Sequence, residues 1–343
     1  MSSVEFTYLS QEDVISAGGL EMRMLMDVVE RTFRLFSEGK VLMPTKIVMP
    51  LPPGERERGR MNALAAYIGG DLEVAGVKWI PGFPSNPYTR NLPRANALVV
   101  LSDTTNGMPR AVMDGTLISA MRTGAVAGVA AKYLARKDSR VVSLIGMGVQ
   151  ARTQAMALAE TLPDLDEIRG YGRRKDRADK VAEEIRKLTG ISTIVADSPK
   201  AAVEGADIID TVTYADEAIV KNSWVKGGSL FVHIGSYVEE EYDVVLQSDK
   251  IVVDDWDAVK HRKTPVLARM YDQGLLTDDD IYATLPEIVS GKKVGRETHE
   301  ERIFFAENGM PYEDIAIASK LLEHATARGI GRKLRLWDRP LWI

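Results

Sequence analysis

The sequence predicts an α/β protein of two parts, and three observations carry the prediction. Residues 41–114 read as short β-type runs joined by turn-forming clusters, the pattern of an antiparallel α+β unit. At residues 141–151 an apolar run stops at a glycine pair and a helix-compatible stretch follows at once. From there to residue 253 strands and helices alternate, which implies a parallel sheet covered on both faces. A chain of 343 residues is long enough for two such domains, each burying its own core.

Taken in order, residues 10–39 read as helical, with Ser10 or Asp13 as N-cap, Leu25, Val28, Val29, Phe33 and Phe36 near the 3.6 period, and Gly39 as the stop. Strands are expected at 46–49, 61–68, 74–80, 97–101 and 110–113. Between them lie Pro52-Pro53-Gly54 with the charged residues 55–60, Gly69-Gly70-Asp71, and Asp103-Thr104-Thr105-Asn106-Gly107. Residues 116–134 form a helix of Ala, Gly, Ser and Thr that carries Arg122. A long cation on a helix of small residues either reaches solvent, caps a neighbour or meets a ligand. After the glycine turn come helix 149–161, strand 167–171, helix 174–189, strand 191–196, helix 198–205 and strands 207–212, 229–234 and 250–253. Helical segments follow at 256–273 and 283–290, then a strand at 302–305 and a last helix at 313–328 closed by Gly329. Trp337 and Trp342 in the tail are expected to pack on the first domain or on a second subunit.

Composition closes several chemistries. The chain has no cysteine, so it has neither a disulfide framework nor a thiol nucleophile or ligand. Its four histidines, His233, His261, His299 and His324, lack metal-ligand spacing, and no metal is expected. A net charge of -5 argues against a nucleic-acid surface. No apolar stretch approaches membrane-spanning length and the N-terminus lacks signal-peptide character, so a cytoplasmic protein without membrane contact is expected.

The glycine turn is a place for a phosphate. Gly146 can adopt backbone angles closed to other residues, Gly148 lets a pyrophosphate approach the main chain, and small Ala151 lets the helix pack on the strand. The N-H groups around Val149 and Gln150 and the positive end of the helix dipole would face the anion. A bare G-x-G-x-x-A also occurs where glycines serve geometry alone. The end of the second strand reads Tyr171-Gly172-Arg173-Arg174, with no carboxylate for an adenosine ribose. Arg173 and Arg174 suit a 2'-phosphate, so NADP(H) is favoured over NAD(H), the other reading being a solvated helix start.

Several stretches together resemble the ornithine cyclodeaminase and μ-crystallin family over nearly the whole chain. They are residues 78–84 (KWIPGFP), Asp103 to Pro109 with residues 111–114 (AVMD), residues 120–125 (AMRTGA), the turn ending Gly148-Val149-Gln150-Ala151, Thr211-Val212-Thr213, and Gly309 followed by Glu313-Asp314. The resemblance implies a Rossmann domain over 118–310 and a substrate-binding and dimerisation domain formed by 1–117 and 311–343. It implies a homodimer joined through that first domain, and chemistry at an α-amino or α-imino acid with a bound nicotinamide. Arg122 matches the family arginine that grips the substrate carboxylate, and Lys78 the active-site lysine. Lys46 stands where the family commonly has a second arginine, and Ser236 where cyclodeaminases carry an aspartate.

Serine cannot act as a carboxylate base, so the expected activity is an imino or amino acid oxidoreductase. The alternatives are a cyclodeaminase that recycles its own cofactor, and a protein that binds NADPH and a small ligand without turnover. Lys78 is the expected proton donor or polariser, its pKa lowered by burial and by Arg122; its other reading is a solvent-facing strand residue. Thr211 and Thr213 are expected at the cofactor. Asp114, His233 and Tyr237 are lesser candidates; Glu239, Glu240 and Glu241 are expected to be solvated, the other reading being contact with a basic substrate.

Overall fold

A computed structural model describes residues 3–52 and 58–342. Much of the turn expected at 52–60 therefore lies outside the described residues. The chain forms two compact units, Met1–Arg122 with Met310–Ile343, and Thr123–Gly309. The division falls within the Thr116–Leu134 helix and groups Ser119 and Arg122 with the first unit.

In the first unit, β1 (Val4–Leu9), β2 (Val41–Leu42), β3 (Ile47–Pro50), β4 (Arg60–Ile68), β5 (Val74–Gly82), β6 (Leu98–Ser102) and β7 (Pro109–Asp114) join a C-terminal strand, Arg332–Trp337. The order is C-terminal strand, β1, β7, β6, β5, β4, β2, with β3 also on β4. Every pairing is antiparallel except β1 with β7. Directly opposed residues share a face, and one such row runs Leu64, Lys78, Val99, Met113 across β4 to β7. All four are buried. The Pro311–Arg328 helix packs on β4, β5 and β6. It comes so close that a Cβ on Gly76 would lie 2.9 Å from Ile315 Cδ1. The opposite face of the sheet is apolar and open: Ile47, Met49, Trp79, Leu98 and Leu334 are each at least 41% exposed.

The expected helix over 10–39 is interrupted. It divides into Gln11–Val14, a π turn at Ile15–Gly19 and Met22–Ser37, because Gly18 takes φ +106°. Both cap candidates act together, the Ser10 hydroxyl accepting from Asp13 N-H and the Asp13 carboxylate from Ser10 N-H. The tail packs in part: Trp337 sits opposite Val4 in the ladder, whereas Trp342 is 92% exposed.

The second unit is a parallel sheet of β8 (Val141–Ile145), β9 (Glu167–Tyr171), β10 (Ser192–Val195), β11 (Ile208–Thr211), β12 (Leu230–His233), β13 (Lys250–Val253), β14 (Ala283–Thr284) and β15 (Ile303–Ala306). Its order is β10, β9, β8, β11, β12, β15, β13, β14. Strand order reverses at β8, the topological switch point where such sheets hold ligands at their carboxyl edge. Ile145, Ile209, Phe231, Val253 and Phe304 belong to one buried core. The helical run expected over 256–273 breaks into Trp256–Lys260 and Val266–Asp272. Pro265 opens the second piece and cannot continue the first. At 283–290 the first two residues are strand and Leu285–Val289 is helix.

Candidate functional site

Lys78 owes its place to strand alternation. Val74, Gly76 and Lys78 point to one face of β5, so the lysine lies among core residues and is 2% exposed; the solvent-facing reading does not hold. A buried ammonium needs a counter-charge. The first turn of the Pro311–Arg328 helix supplies it: Lys78 Nζ donates to Asp314 Oδ2 at 2.5 Å and to Ser119 Oγ at 3.2 Å. Those contacts engage two of its three N-H groups. Burial pulls the Lys78 pKa down, Asp314 pushes it back up, Arg122 lowers it again, and the balance lies below the usual lysine range.

Arg122 reaches the same helix turn. Its Nη1 donates to Glu313 Oε2 at 3.2 Å, and its Nε lies 3.9 Å from Asp314 Oδ2. Glu313 Oε2 also accepts the N-H of Met310 at 3.1 Å, so one carboxylate caps the helix and orients the arginine. Asp314 Oδ1 is buried without a hydrogen-bond partner among the described residues. Two cations and two carboxylates thus converge, all from the first unit. Lys46 is half-buried immediately before β3 and is not among the hydrogen-bond partners of Lys78. Asp114 caps the Thr116–Leu134 helix, accepting from the N-H groups of Thr116 and Leu117.

In the second unit Gly146 has φ +113°, and a Cβ there would lie 2.9 Å from Thr213 Cγ2 and from the Val212 carbonyl. Gly148 is the N-cap of the Val149–Thr161 helix and has no side-chain cap. A Cβ on Gly148 would meet nothing within 4 Å, so open space stands over the helix N-terminus. Val149 is exposed, Gln150 accepts a hydrogen bond from the Thr153 hydroxyl, and Ala151 is fully buried. Uncapped N-H groups, an open approach and a small packing residue together fit a dinucleotide phosphate.

At the end of β9 the tip carries no carboxylate. Arg173 is exposed, and Arg174 forms an ion pair with Asp176 at 3.0 Å. Thr211 is buried, and Thr213 is held by Glu239, whose carboxylate accepts both its N-H and its hydroxyl. Ser236 is half-buried, and the hydroxyls of Tyr237 and Tyr214 lie 2.9 Å apart.

The solvated reading of the glutamates is wrong for two of the three. Glu239 and Glu240 are fully buried, because Thr213 and His233 supply their partners, while Glu241 accepts from the Asn222 N-H. His233 is a core residue as expected but only half satisfied: its Nδ1 is 3.0 Å from Glu240 Oε1, while its Nε2 is buried without a hydrogen-bond partner among the described residues; burial lowers its pKa, and Glu240 more than restores it. Among the described residues no group of three or more His, Asp or Glu could hold a metal ion.

Sequence reasoning assigns no role to Asp314 or Ser119 and reads Glu239 as solvated. For Asp314 a signal was present. Glu313 and Asp314 stand side by side at a helix start where one carboxylate suffices for the cap, which leaves the second for another task.

The ornithine cyclodeaminase/mu-crystallin family profile matches residues 7–329. The alanine dehydrogenase of Archaeoglobus fulgidus is 36% identical over 337 residues, covering 97% of this chain and 99% of the relative. Among solved structures, an archaeal alanine dehydrogenase dimer with bound NAD superposes with TM-score 0.88 at 34% identity, covering 97% of this chain and all of that one. Thermococcus litoralis Δ1-pyrroline-2-carboxylate reductase, in complex with NADH and L-proline, gives TM-score 0.87 at 34% identity, covering 95% and 99%. No helix among the described residues is long and apolar enough to cross a membrane. With a profile match over almost its full length and relatives of this identity, the chain belongs to the ornithine cyclodeaminase/mu-crystallin family.

Proposed function

We propose that this protein is an NAD(P)(H)-dependent oxidoreductase that interconverts an α-imino acid, or an α-keto acid plus amine, and the corresponding α-amino acid. The observation that carries this reading is the buried Lys78–Asp314 pair with Arg122 beside it. It occurs in a chain whose other unit carries an open, uncapped dinucleotide turn. A bound nicotinamide supplies or accepts the hydride. Arg122, with Lys46 and Ser236 as secondary contacts, binds the substrate carboxylate and fixes which face of the adjacent carbon is presented. Lys78 holds a proton on Nζ and passes it to the substrate nitrogen as the iminium carbon is reduced and that nitrogen regains its lone pair, or to the departing hydroxyl when a keto acid condenses with an amine. Burial keeps water from that proton, and Asp314 keeps Nζ charged until it is needed. Lys78→Ala and Arg122→Ala should each lower kcat/KM for imine reduction at least about a hundredfold, measured by nicotinamide absorbance over a panel of cyclic imines, keto acids and amines. Near-normal rates in both would remove the assignment. Release of ammonia without net absorbance change would identify a cyclodeaminase, and cofactor binding without any turnover a binding protein.

The pH dependence has a definite sign. Reduction needs Lys78 protonated, and Asp314 is the main influence that raises its pKa. Asp314→Asn removes that influence, so the alkaline fall in reductive kcat/KM should move to lower pH. The rate of the variant relative to the wild type should therefore fall as the pH is raised. An unmoved alkaline limb with a uniform rate loss would show that Asp314 does not govern the lysine proton.

We favour NADP(H), on the absence of a carboxylate at the tip of β9 and on the exposed guanidinium of Arg173. The Arg174 guanidinium is shared with Asp176, which makes Arg173 the stronger phosphate contact. Saturation curves should give a lower KM for NADPH than for NADH, and Arg173→Ala should raise the first while leaving the second. A tenfold preference for NADH would reverse this choice.

The same reading places the enzyme in the cytoplasm, beside the nicotinamide pool, as a homodimer. The open apolar face of the first sheet supports the dimer, since exposed patches of Ile47, Met49, Trp79, Leu98 and Leu334 rarely remain bare. Light scattering should report twice the chain mass of 37.8 kDa, and Leu98→Glu should shift it toward the monomer. A wild-type monomer at micromolar concentration would count against it.

A further inference from the structure

Glu239 is a carboxyl side chain with no exposure, to which the proposed chemistry gives no role. Its surroundings are specific. One carboxylate oxygen accepts the Thr213 N-H at 2.5 Å and also the Thr213 hydroxyl. The Thr213 hydroxyl oxygen in turn accepts the N-H of Ala215 at 3.0 Å, which closes a tight turn just after β11. That turn lies against the glycine turn. Val212 N-H donates to the Ile145 carbonyl at 2.8 Å, and Thr213 Cγ2 lies 2.9 Å from where a Gly146 Cβ would be.

The carboxylate has its place only because residue 235 is glycine. A Cβ on Gly235 would sit 1.7 Å from Glu239 Oε2. The main chain of the same loop is pinned separately, with the N-H groups of Ile219 and Val220 both donating to the Glu239 carbonyl. His233 stands 3.8 Å away and gives its closer contact to Glu240. Burial of this kind is costly unless the group is used for bonding. The bonding it does is directed at one residue, Thr213.

We infer that Glu239 is a positioning residue for the dinucleotide: through Thr213 it holds the segment after β11 against Gly146, and so sets cofactor affinity rather than the rate of hydride transfer. The inference rests on the reading of the glycine turn as a nicotinamide-cofactor site. Rigid placement of a contact segment by a bonded neighbour lowers the ordering cost of binding.

The test measures NADPH and NADH dissociation constants by nicotinamide fluorescence, together with kcat at saturating cofactor, for wild type, Glu239→Ala, Glu239→Gln and Gly235→Ala. Glu239→Ala should weaken binding at least about tenfold with kcat within about twofold. Glu239→Gln should stay within about threefold of wild type, because the amide oxygen still accepts both Thr213 donors. Gly235→Ala, whose methyl takes the place of the carboxylate, should match the alanine variant at Glu239. If Glu239→Ala does not fold, the contrast between Glu239→Gln and Gly235→Ala carries the same decision. Unchanged affinity in Glu239→Ala and Gly235→Ala, a fall in kcat without a change in affinity, or a glutamine variant as weak as the alanine one would each overturn the inference. A wild-type protein that binds neither cofactor would instead overturn the nicotinamide reading itself.

Discussion

A buried ammonium on the face of a sheet is the constraint from which the first unit is built. Lys78 sits in a row of core residues, where an uncompensated charge would cost several kcal/mol. Its counter-charge, Asp314, is 236 residues further along the chain. The C-terminal segment must therefore come back to the sheet from which the chain began. Once the Pro311–Arg328 helix lies on β4, β5 and β6, the strand after it pairs with β1, and both ends of the chain belong to one unit. Gly76 permits the close approach of Ile315 that this return requires.

The second unit solves a related problem with backbone rather than with charge. A phosphate-binding turn must leave N-H groups unpaired, so it needs neighbours that hold the turn without capping it. Gly146 does this through its left-handed φ and its contact with Val212 and Thr213, and the uncapped Gly148 leaves the approach open. Ala151 and Gly172 admit close packing on either side, the first fully buried and the second within 3.4 Å of Met147 and Ala178 at its notional Cβ. Glu239 belongs to the same logic. Its carboxylate is directed at the segment on which Gly146 rests.

What could be read from the sequence was local in origin. The glycine turn, the alternation of β4 to β7 and the helix–strand period after residue 148 are each set by residues near one another in the chain, and each is found where expected. The placement of Lys78 was written in the same way, since Val74 and Gly76 share its face. Pairings between distant segments were not legible: Val4–Leu9 and Arg332–Trp337 each alternate apolar with polar residues, but nothing local in either says that the two pair. Nor was the burial of Glu239 and Glu240, because a glutamate in a polar run looks solvated until Thr213 and His233 are brought to it. Gly18, Pro265 and the short helices around them show the remaining limit, where one residue's φ breaks a periodic run.

The charges around Lys78 also bear on what the site can accept. Lys78 and Arg122 are matched by Asp314 and Glu313, so the four groups carry no net charge before a substrate arrives. A simple carboxylate entering there must draw Arg122 from Glu313 and leaves a carboxylate in excess in a low-dielectric interior. An α-imino acid protonated on nitrogen brings a cation with its carboxylate and leaves the balance unchanged. Asp314 Oδ1, buried and without a hydrogen-bond partner among the described residues, would accept its N-H. Under the proposed reading, the site therefore distinguishes imino acids from keto acids by charge before any side chain is examined. A keto acid enters on equal terms only together with an ammonium or amine, which is the pairing its conversion to an amino acid requires.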